Sequence, residues 1–504
     1  MVSWDNTNCQ RCRPGFQSHP VPAVQPTLPT PSAPSPGPHD DTQRITLALC
    51  LAGFSCFLLL YGTQPLLPQL SEAFAISPGT ASLSVTVGTG TMALLLIPLS
   101  LVADRWGRER LMRFGLLGAA LCALASAWAP DFSLLVLARG LLGACIAGVP
   151  AAAMAHIGEE VPGTARARVM GLYIAANALG GMAGRLLSAV VSDLFGSWHA
   201  GLGALGAIGL LVAIVFWRLL PPARHFEPRS LQPGLLVADI RRIYADPGLP
   251  WLFTTAFLSM GAFVGLYNYL PFRLVQPPYG FGPAAIGSIF LLYAVGSYSS
   301  AWAGRQVARH GRPRILLGMA LLAALGIVAT LADALWLIVG GLAVFTFGFF
   351  AVHSVASAWV GQRAGARRGL VSALYLSSYY LGGSLLGTAA GWTWSHGGWP
   401  GVIATLLACA GLVIAISKSG KTGTILKPVQ DSFAQHRSII AFVGADNSPI
   451  ARCADPAFVL LDDKMLDDRN LTANYFYARV LITFEYLMDL VLEKDEHPNG
   501  KEGQ

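Results

Sequence analysis

The chain has 504 residues, of which 54% are hydrophobic and only 12% are charged, and its formal net charge is +7. A soluble protein keeps about a quarter of its residues charged because its surface faces water, so this composition excludes a soluble globular fold. The positive charge is divided among short loops between apolar blocks, and we therefore expect no nucleic-acid partner.

Twelve apolar blocks, each long enough to cross a bilayer as a helix, follow one another along the chain. Helices satisfy all of their own backbone groups in lipid, so the blocks predict an all-α membrane protein with 12 transmembrane helices in two six-helix bundles. The blocks begin near Ile45, Ala81, Leu111, Phe132, Val169, Gly201, Trp251, Ala284, Arg314, Ala334, Gly369 and Pro400.

Arginine is concentrated in alternate loops, which predicts the orientation of the chain. One set of loops carries clusters such as Arg105 to Arg113, Arg241 with Arg242, and Arg305 to Arg314. The opposite set is nearly free of cations apart from Arg273. Loops rich in Lys and Arg stay in the cytoplasm, so both termini are expected there.

Composition divides the chain into five segments. We expect a disordered, Pro-rich tail over residues 1–42, because it has too little apolar surface to fold. A six-helix bundle over 43–220, a cytoplasmic linker over 221–250 and a second six-helix bundle over 251–416 follow. Residues 417–504 form a cytoplasmic tail of a different composition.

Cysteine usage gives little evidence for a metal site. Cys9 and Cys12 form a C-x-x-C pair in the N-terminal tail, but no second pair or histidine accompanies them. A structural zinc site needs four such ligands, so we expect no metal and no cofactor.

The two halves repeat each other in sequence. The segment Ala103–Arg110 follows the second block, and the similar segment Val307–Arg314 follows the eighth. The fifth block contains Leu172-Tyr173 and then Leu179-Gly180-Gly181, and the eleventh contains Leu374-Tyr375 and then Leu381-Gly382-Gly383. Two matches at nearly one offset predict an internal duplication.

These loop segments resemble the signature G-x-x-x-D-R-x-G-R-[RK] of the major facilitator superfamily. The first copy comprises Ser100, Asp104, Arg105, Gly107, Arg108 and Arg110, with Ser100 in place of the leading glycine and Glu109 inserted. The second copy keeps Gly304, Arg309, Gly311 and Arg312, with Ala308 where the aspartate would stand. In this family the aspartate and arginine hold one access state closed, which implies a one-sided latch carried by Asp104.

Other segments narrow the resemblance within the family. Arg139 with Gly143 resembles the arginine motif of helix four, and Asn177–Arg185 and Tyr267–Pro271 resemble a bacterial efflux-permease branch. The resemblance implies a monomeric transporter in the bacterial inner membrane that exports a small molecule by alternating access, driven by the proton gradient. It also implies that the chain is not an enzyme.

Polar residues inside the apolar blocks are candidates for the substrate or proton pathway, because a charge in lipid is costly without a cavity or a partner. Arg185 has the alternatives of extending to the periplasmic surface or pairing with Asp193. His353 is a candidate proton carrier, with a hydrogen-bonded structural role as the alternative. The candidates are Arg139, Asn177, Arg185, Tyr267, Asn268, His353 and Tyr379.

The C-terminal tail resembles the later half of a sugar isomerase (SIS) domain. A strand over Val413–Ile416 would precede a loop whose Ser417, Ser419 and Thr422 bind the phosphate of a phosphosugar, and further strands would cover 438–443 and 457–461. This first strand overlaps the end of the twelfth helix, and one segment cannot easily form both. The first half of such a domain is absent, so the alternative is a fusion remnant. A membrane-bound sensor that binds a phosphosugar is the second hypothesis for the whole chain.

Overall fold

The computed structural model describes residues 38–223, 233–246, 248–415, 441–443 and 457–459. The first half comprises α1 (Pro38–Tyr61), α2 (Leu67–Ala73), α3 (Pro78–Trp106), α4 (Arg108–Ala127), α5 (Phe132–Ile146), α6 (Val149–Glu160), α7 (Gly163–Phe195) and α8 (Trp198–Leu219). A connecting helix, α9 (Pro233–Tyr244), precedes the second half. The second half comprises α10 (Leu249–Val275), α11 (Pro283–Ser288), α12 (Tyr293–His310), α13 (Arg312–Ala329), α14 (Leu335–Arg363) and α15 (Arg368–Ala415). Short 3₁₀ turns are formed by Gln64–Leu66, Ile289–Leu292 and Gly365–Arg367.

The helices confirm the membrane architecture expected from the apolar blocks. Within the described residues, 11 segments are long and apolar enough to cross a bilayer. The last of them contains two helices, because the backbone of Gly398 is not helical (φ 57°, ψ −146°). The twelve predicted blocks are therefore all helical. Large apolar side chains such as Leu94, Trp128 and Leu194 are exposed on the outside, as lipid contact requires.

The two halves are built alike. Helix α1 packs on α7 in the first half as α10 packs on α15 in the second, and α3 packs on α5 as α12 packs on α14. A Cβ added at Gly180 would lie 2.0 Å from the carbonyl oxygen of Phe54, and one added at Gly382 would lie 2.0 Å from that of Phe257. The repeated glycines therefore serve the same close helix contact in each half.

The repeated loop segments make equivalent turns. Gly107 joins α3 to α4 with φ 108°, and Gly311 joins α12 to α13 with φ 78°. Positive φ values favour glycine because it has no Cβ, so the glycine of each signature copy is required by the backbone. We name the end of the molecule with these turns the arginine-rich end. The opposite end, with the turns near residues 75, 130, 196 and 280, is the arginine-poor end.

The two halves meet chiefly along two helix pairs. Helix α3 of the first half packs on α15 of the second, and α7 packs on α11. Helix α10 of the second half also contacts α2. The α11 and α2 contacts lie at the arginine-poor end, because α2 leads into the turn near residue 75 and α11 follows the turn near residue 280.

The C-terminal part of the chain corrects one strand prediction. Residues Val413 to Ala415 of the expected strand Val413–Ile416 belong to α15 instead. A short apolar run does not distinguish a strand from the end of a helix, which explains the error. Two parallel strands, β1 (Ala441–Val443) and β2 (Ala457–Val459), pair in register within two of the other predicted strands. The expected phosphate-binding residues Ser417, Ser419 and Thr422 lie outside the described residues.

We predict that Gly180→Ala and Gly382→Ala each destabilise the protein by about 1–3 kcal/mol, because the added methyl group overlaps a helix backbone. The midpoint of thermal unfolding in detergent measures this effect. Gly361→Ala is the matched control, since a Cβ at Gly361 in α14 meets no atom within 4 Å. Equal midpoints for the three variants would contradict the packing account.

Candidate functional site

The first signature copy forms an ion-pair cluster at the arginine-rich end. Arg108 is buried and donates to Asp104 Oδ1 over 3.1 Å, and its other terminal nitrogen pairs with Glu159 at the end of α6. Arg113 pairs with Glu109 over 2.6 Å and also donates to the carbonyl oxygen of Leu220. The cluster therefore ties α3, α4, α6 and the end of α8 together, all within the first half.

Ion pairs of the second half lie at the same end but involve the connecting helix. Asp246 pairs with Arg363 of α14 over 3.0 Å, and Asp239 of α9 pairs with Arg367 over 2.7 Å. The Asp246 carboxylate also accepts from the backbone amides of Gly248 and Leu249 at the start of α10. In the second signature copy, Gly304 and Arg309 are exposed and Arg312 is half-buried.

Arg139 is buried in α5 with only 2% of its surface exposed, and it binds backbone rather than a cavity ligand. Its Nε donates to the carbonyl oxygen of Ser84 over 3.0 Å, and its Nη1 donates to that of Leu59 over 2.8 Å. Its Nη2 donates to the carbonyl oxygen of Leu60. Leu59 and Leu60 belong to the last turn of α1, where the backbone carbonyls receive no hydrogen bond from within the helix. Arg139 therefore caps α1 and ties it to α3.

Arg185 lies in α7 and is equally buried, with 2% of its surface exposed. Its Nε donates to Gln64 Oε1 over 2.6 Å, and its Nη1 donates to the carbonyl oxygen of Gly181 over 2.6 Å. Its guanidinium carbon lies 4.2 Å from the ring centre of Tyr61, 4.9 Å from that of Tyr293 and 5.1 Å from that of Phe290.

The two alternatives considered for Arg185 are therefore wrong. The side chain does not extend to the surface, and among the described residues it forms no ion pair with Asp193. The aromatic rings and the Gln64 amide hold the guanidinium in the interior instead. Cation–π contacts of this kind gain strength when the cation is desolvated.

The Gln64 side chain joins the two halves. Its Nε2 donates to Asn268 Oδ1 of α10 over 2.7 Å, and both amides are fully buried. The orientation of both amides follows from Arg185, because a guanidinium only donates and must face Gln64 Oε1. Gln64 Nε2 then faces Asn268, which must present its oxygen, so that Asn268 Nδ2 remains without an acceptor.

Small and hydroxyl residues line the remaining contact between α3 and α15. Ser384 Oγ donates to the carbonyl oxygen of Thr86 over 2.7 Å, and Thr388 Oγ1 donates to Thr86 Oγ1 over 2.8 Å. Closer to the arginine-poor end, a Cβ added at Gly391 would lie 2.4 Å from the Cα of Gly79. The halves are thus in backbone contact at this end. We call the set Gln64, Gly79, Thr86, Asn268, Ser384, Thr388 and Gly391 the inter-half joint.

The other predicted pathway residues lie in separate places. Tyr375 Oη lies 3.1 Å from Nδ1 of His353 in α14, and the ring of Tyr379 lies 4.5 Å from the imidazole. Tyr267 shares a 2.7 Å hydrogen bond with Thr346 of α14 and packs within the second half. Asn177 of α7 is half-buried, and its Oδ1 has no hydrogen-bond partner among the described residues.

Several contact residues were missed from the sequence. They include Glu159, Asp239, Asp246, Phe290, Tyr293, Thr86, Ser384 and Thr388. Glu159 could have been found from the sequence, because it is a carboxylate at the end of a predicted helix, next to an arginine-rich loop. The hydroxyl residues carry no such signal, because single Ser and Thr residues are common in membrane helices.

Two repeated six-helix halves that pack against each other define a multi-pass membrane protein of the transporter class. The family described as the Major Facilitator Superfamily matches residues 49–385, and the chain belongs to this family. Its relatives are named as transporters, so the chain is a membrane transporter rather than an enzyme.

Curated relatives cover most of the membrane region. The chain is 42% identical to the inner membrane transport protein YnfM of Escherichia coli (strain K12), over 73% of this chain and 89% of that protein. It is 39% identical to the MFS-type transporter YybF of Bacillus subtilis (strain 168), over 75% of this chain and 93% of that protein.

Solved structures share the fold at low sequence identity. A bacterial homologue of the human lysosomal transporter Spinster superposes with a TM-score of 0.62 at 18% identity, over 74% of this chain and 95% of that one. The nucleoside transporter NupG superposes with a TM-score of 0.60 at 14% identity, over 73% and 98% of the two chains.

We predict that Arg139→Gln lowers the free energy of unfolding by at least about 3 kcal/mol, because several buried carbonyls lose a charged donor. Arg139→Lys should recover part of this loss, since one ammonium reaches fewer of the three carbonyls. Thermal unfolding in detergent measures both, with the exposed Arg110→Gln as control. A midpoint for Arg139→Gln equal to that of the control would show that Arg139 does not cap α1.

Proposed function

We propose that the protein is a secondary active exporter of a small molecule, driven by the proton gradient and working by alternating access. Its two moving units are residues 43–220 and 251–416, connected by residues 221–250. We place it in the bacterial inner membrane with both termini in the cytoplasm. The inner-membrane relative in Escherichia coli and the arginine distribution support this location.

One observation carries the proposal: the hydrogen bonds between the halves described above lie toward the arginine-poor end. The ion pairs identified at the arginine-rich end among residues 38–223, 233–246 and 248–415 stay within the first half, or connect the second half to α9 and its adjoining turn. If the arginine-rich end faces the cytoplasm, this arrangement corresponds to a state closed to the periplasm and open inward. An exporter takes up its cargo in such a state.

The composition of the inter-half joint supports a rocking motion. Glycine, serine and threonine let two helices approach closely while leaving few interlocking side chains to separate. Gly79 and Gly391 meet through their backbones. Each hydrogen bond of Thr86 contributes only about 1 kcal/mol net, because water can replace the partner. The joint can therefore open without breaking an ion pair.

The signature cluster supports a second state. Asp104 pairs with Arg108 of its own half over 3.1 Å and is only partly buried. We propose that in the outward-open state this carboxylate contacts the second half and closes the arginine-rich end. Ala308 in the second copy leaves Asp104 as the carboxylate for this latch.

We propose His353 as the proton carrier. No Asp or Glu lies near the middle of a described membrane helix, and an imidazole titrates near physiological pH. His353 is partly accessible and contacts Tyr375 and Tyr379 of α15, the helix that also forms the joint. A change in its charge would therefore act on a moving helix.

The alternative of a phosphosugar sensor receives less support. The paired strands β1 and β2 are separated by 13 residues, which suits a crossover of an α/β unit. The residues expected to bind phosphate lie outside the described part of the chain. We therefore prefer the exporter.

We predict that a disulfide across the joint prevents the halves from separating and stops transport. In Thr86→Cys/Thr388→Cys the two sulfurs replace hydroxyls 2.8 Å apart, which is within the reach of a disulfide. In everted membrane vesicles, the lumen corresponds to the periplasm. We expect some compounds to be taken up only when this chain is present and the lumen is more acidic than the medium. Oxidation of the double variant should abolish that uptake, and a reductant should restore it, because the halves can no longer separate.

The single variants Thr86→Cys and Thr388→Cys control for reactions of the native cysteines and should transport under both conditions. Full uptake by the oxidised, cross-linked double variant would exclude opening at this joint. Uptake that survives collapse of the pH gradient would exclude proton coupling.

A further inference from the structure

The surroundings of Arg185 differ from those of the other buried arginine. Every nitrogen of the Arg139 guanidinium donates to a backbone carbonyl. Arg185 instead faces one amide, one carbonyl and three aromatic rings, and no carboxylate among the described residues balances its charge. A buried cation without a counter-ion is a candidate binding site for an anion, because a charge inside the membrane is costly without a partner.

Three further donors around Arg185 also lack acceptors. The hydroxyls of Tyr61 and Tyr293 and the Nδ2 atom of Asn268 are buried, and none has a hydrogen-bond partner in the described part of the chain. Both tyrosine rings lie against the guanidinium, and Asn268 connects to it through Gln64. Buried polar groups without partners are rare in proteins, so a cluster of them around one cation requires an explanation.

The rings next to this cluster continue into an aromatic layer of the second half. Tyr293 contacts Phe290, Phe263 and Tyr267, with ring centres 5.9, 5.4 and 5.3 Å away. A ligand whose charged group reached Arg185 would therefore place its body among apolar rings. An inorganic anion would leave this surface unused.

We infer that the group of Arg185, Tyr61, Tyr293 and Asn268 binds the carboxylate of an organic monoanion with an apolar or aromatic body, and that such anions are the cargo class. The inference rests on the proposed export function and specifies its substrate. A single guanidinium matches one negative charge. The two hydroxyls and the amide can donate hydrogen bonds to the oxygens of a carboxylate.

Binding at this place would act directly on the inter-half joint. Gln64 is held by Arg185 on one side and holds Asn268 of the other half on its second side. A carboxylate that accepts from Arg185 Nε displaces Gln64 Oε1 from that donor, and Asn268 Nδ2 is free to donate to the same carboxylate. Without Arg185, the Gln64 amide can turn away from Asn268 Oδ1. Occupancy therefore weakens the hydrogen bond that joins the halves, which is the change that an exporter needs after loading.

The test uses benzoate as the probe, with benzamide and chloride as comparisons, and the purified full-length protein in detergent. The unfolding midpoint should rise with benzoate concentration, because a ligand that binds only the folded state stabilises it. Benzamide, which has the same ring without the charge, and chloride, which has the charge without the ring, should leave the midpoint unchanged at equal concentration.

Variants separate binding from folding. Tyr61→Phe and Tyr293→Phe keep the rings against Arg185 and remove only the unpartnered hydroxyls. Each should fold with an unchanged or higher midpoint without ligand and bind benzoate about tenfold more weakly, as expected for loss of one hydrogen bond to a charged group. Arg185→Gln should abolish the response to benzoate.

Arg273→Gln is the matched control, because Arg273 also lies against aromatic rings but is bound to Asp333 and backbone carbonyls. Its response to benzoate should equal that of the natural chain. An equal response to benzamide or to chloride, no response to benzoate, or equal affinities of Tyr61→Phe, Tyr293→Phe and the natural chain would each overturn the inference.

This experiment is independent of transport. Binding of benzoate without any pH-driven uptake in vesicles would refute the proposed function alone. Uptake of neutral compounds that the oxidised joint blocks, with no benzoate binding, would refute the cargo class alone.

Discussion

The hydrogen bond between Gln64 and Asn268 is the interaction on which the rest of this structure depends. It joins two buried amides from the two halves, next to a buried cation and beside a contact of backbone on backbone at Gly79 and Gly391. In the low dielectric of a membrane interior such a bond is strong when made and costly when left unmade. A transporter can therefore be stable while this bond is made and still open, provided that another group accepts hydrogen bonds from the donors that the opening releases.

Arg139 and Arg185 show how the same residue type serves two purposes. Both are buried to the same degree, but Arg139 donates to carbonyls at the end of α1 and completes the backbone hydrogen bonding there. Arg185 is surrounded by rings and by donors without acceptors. In the first arrangement every guanidinium nitrogen has a carbonyl acceptor, whereas we propose that an anion completes the second. Burial alone does not distinguish the two arginines, but their hydrogen-bond partners do.

Hydropathy and repeats predicted the twelve helices and the duplication, because each of these depends on local residue type or on comparison of one segment with another. The partners of Arg139 were not predictable, since they are backbone carbonyls that any residue provides. The Gln64–Asn268 pair joins positions 204 residues apart and has no local signature. The apolar run at Val413 was assigned to a strand. A short apolar run indicates that a segment is buried, but it does not show whether the segment is a strand or the end of a helix.

Distances between spin labels on the two halves test the account most directly. One pair at residues 72 and 276 reports on the arginine-poor end, and a second pair at residues 110 and 314 reports on the arginine-rich end; all four positions are exposed. In double electron–electron resonance with a transported cargo, we predict that the first distance lengthens while the second shortens. Two distances that stay unchanged, or that change in the same direction, would contradict alternating access about this joint.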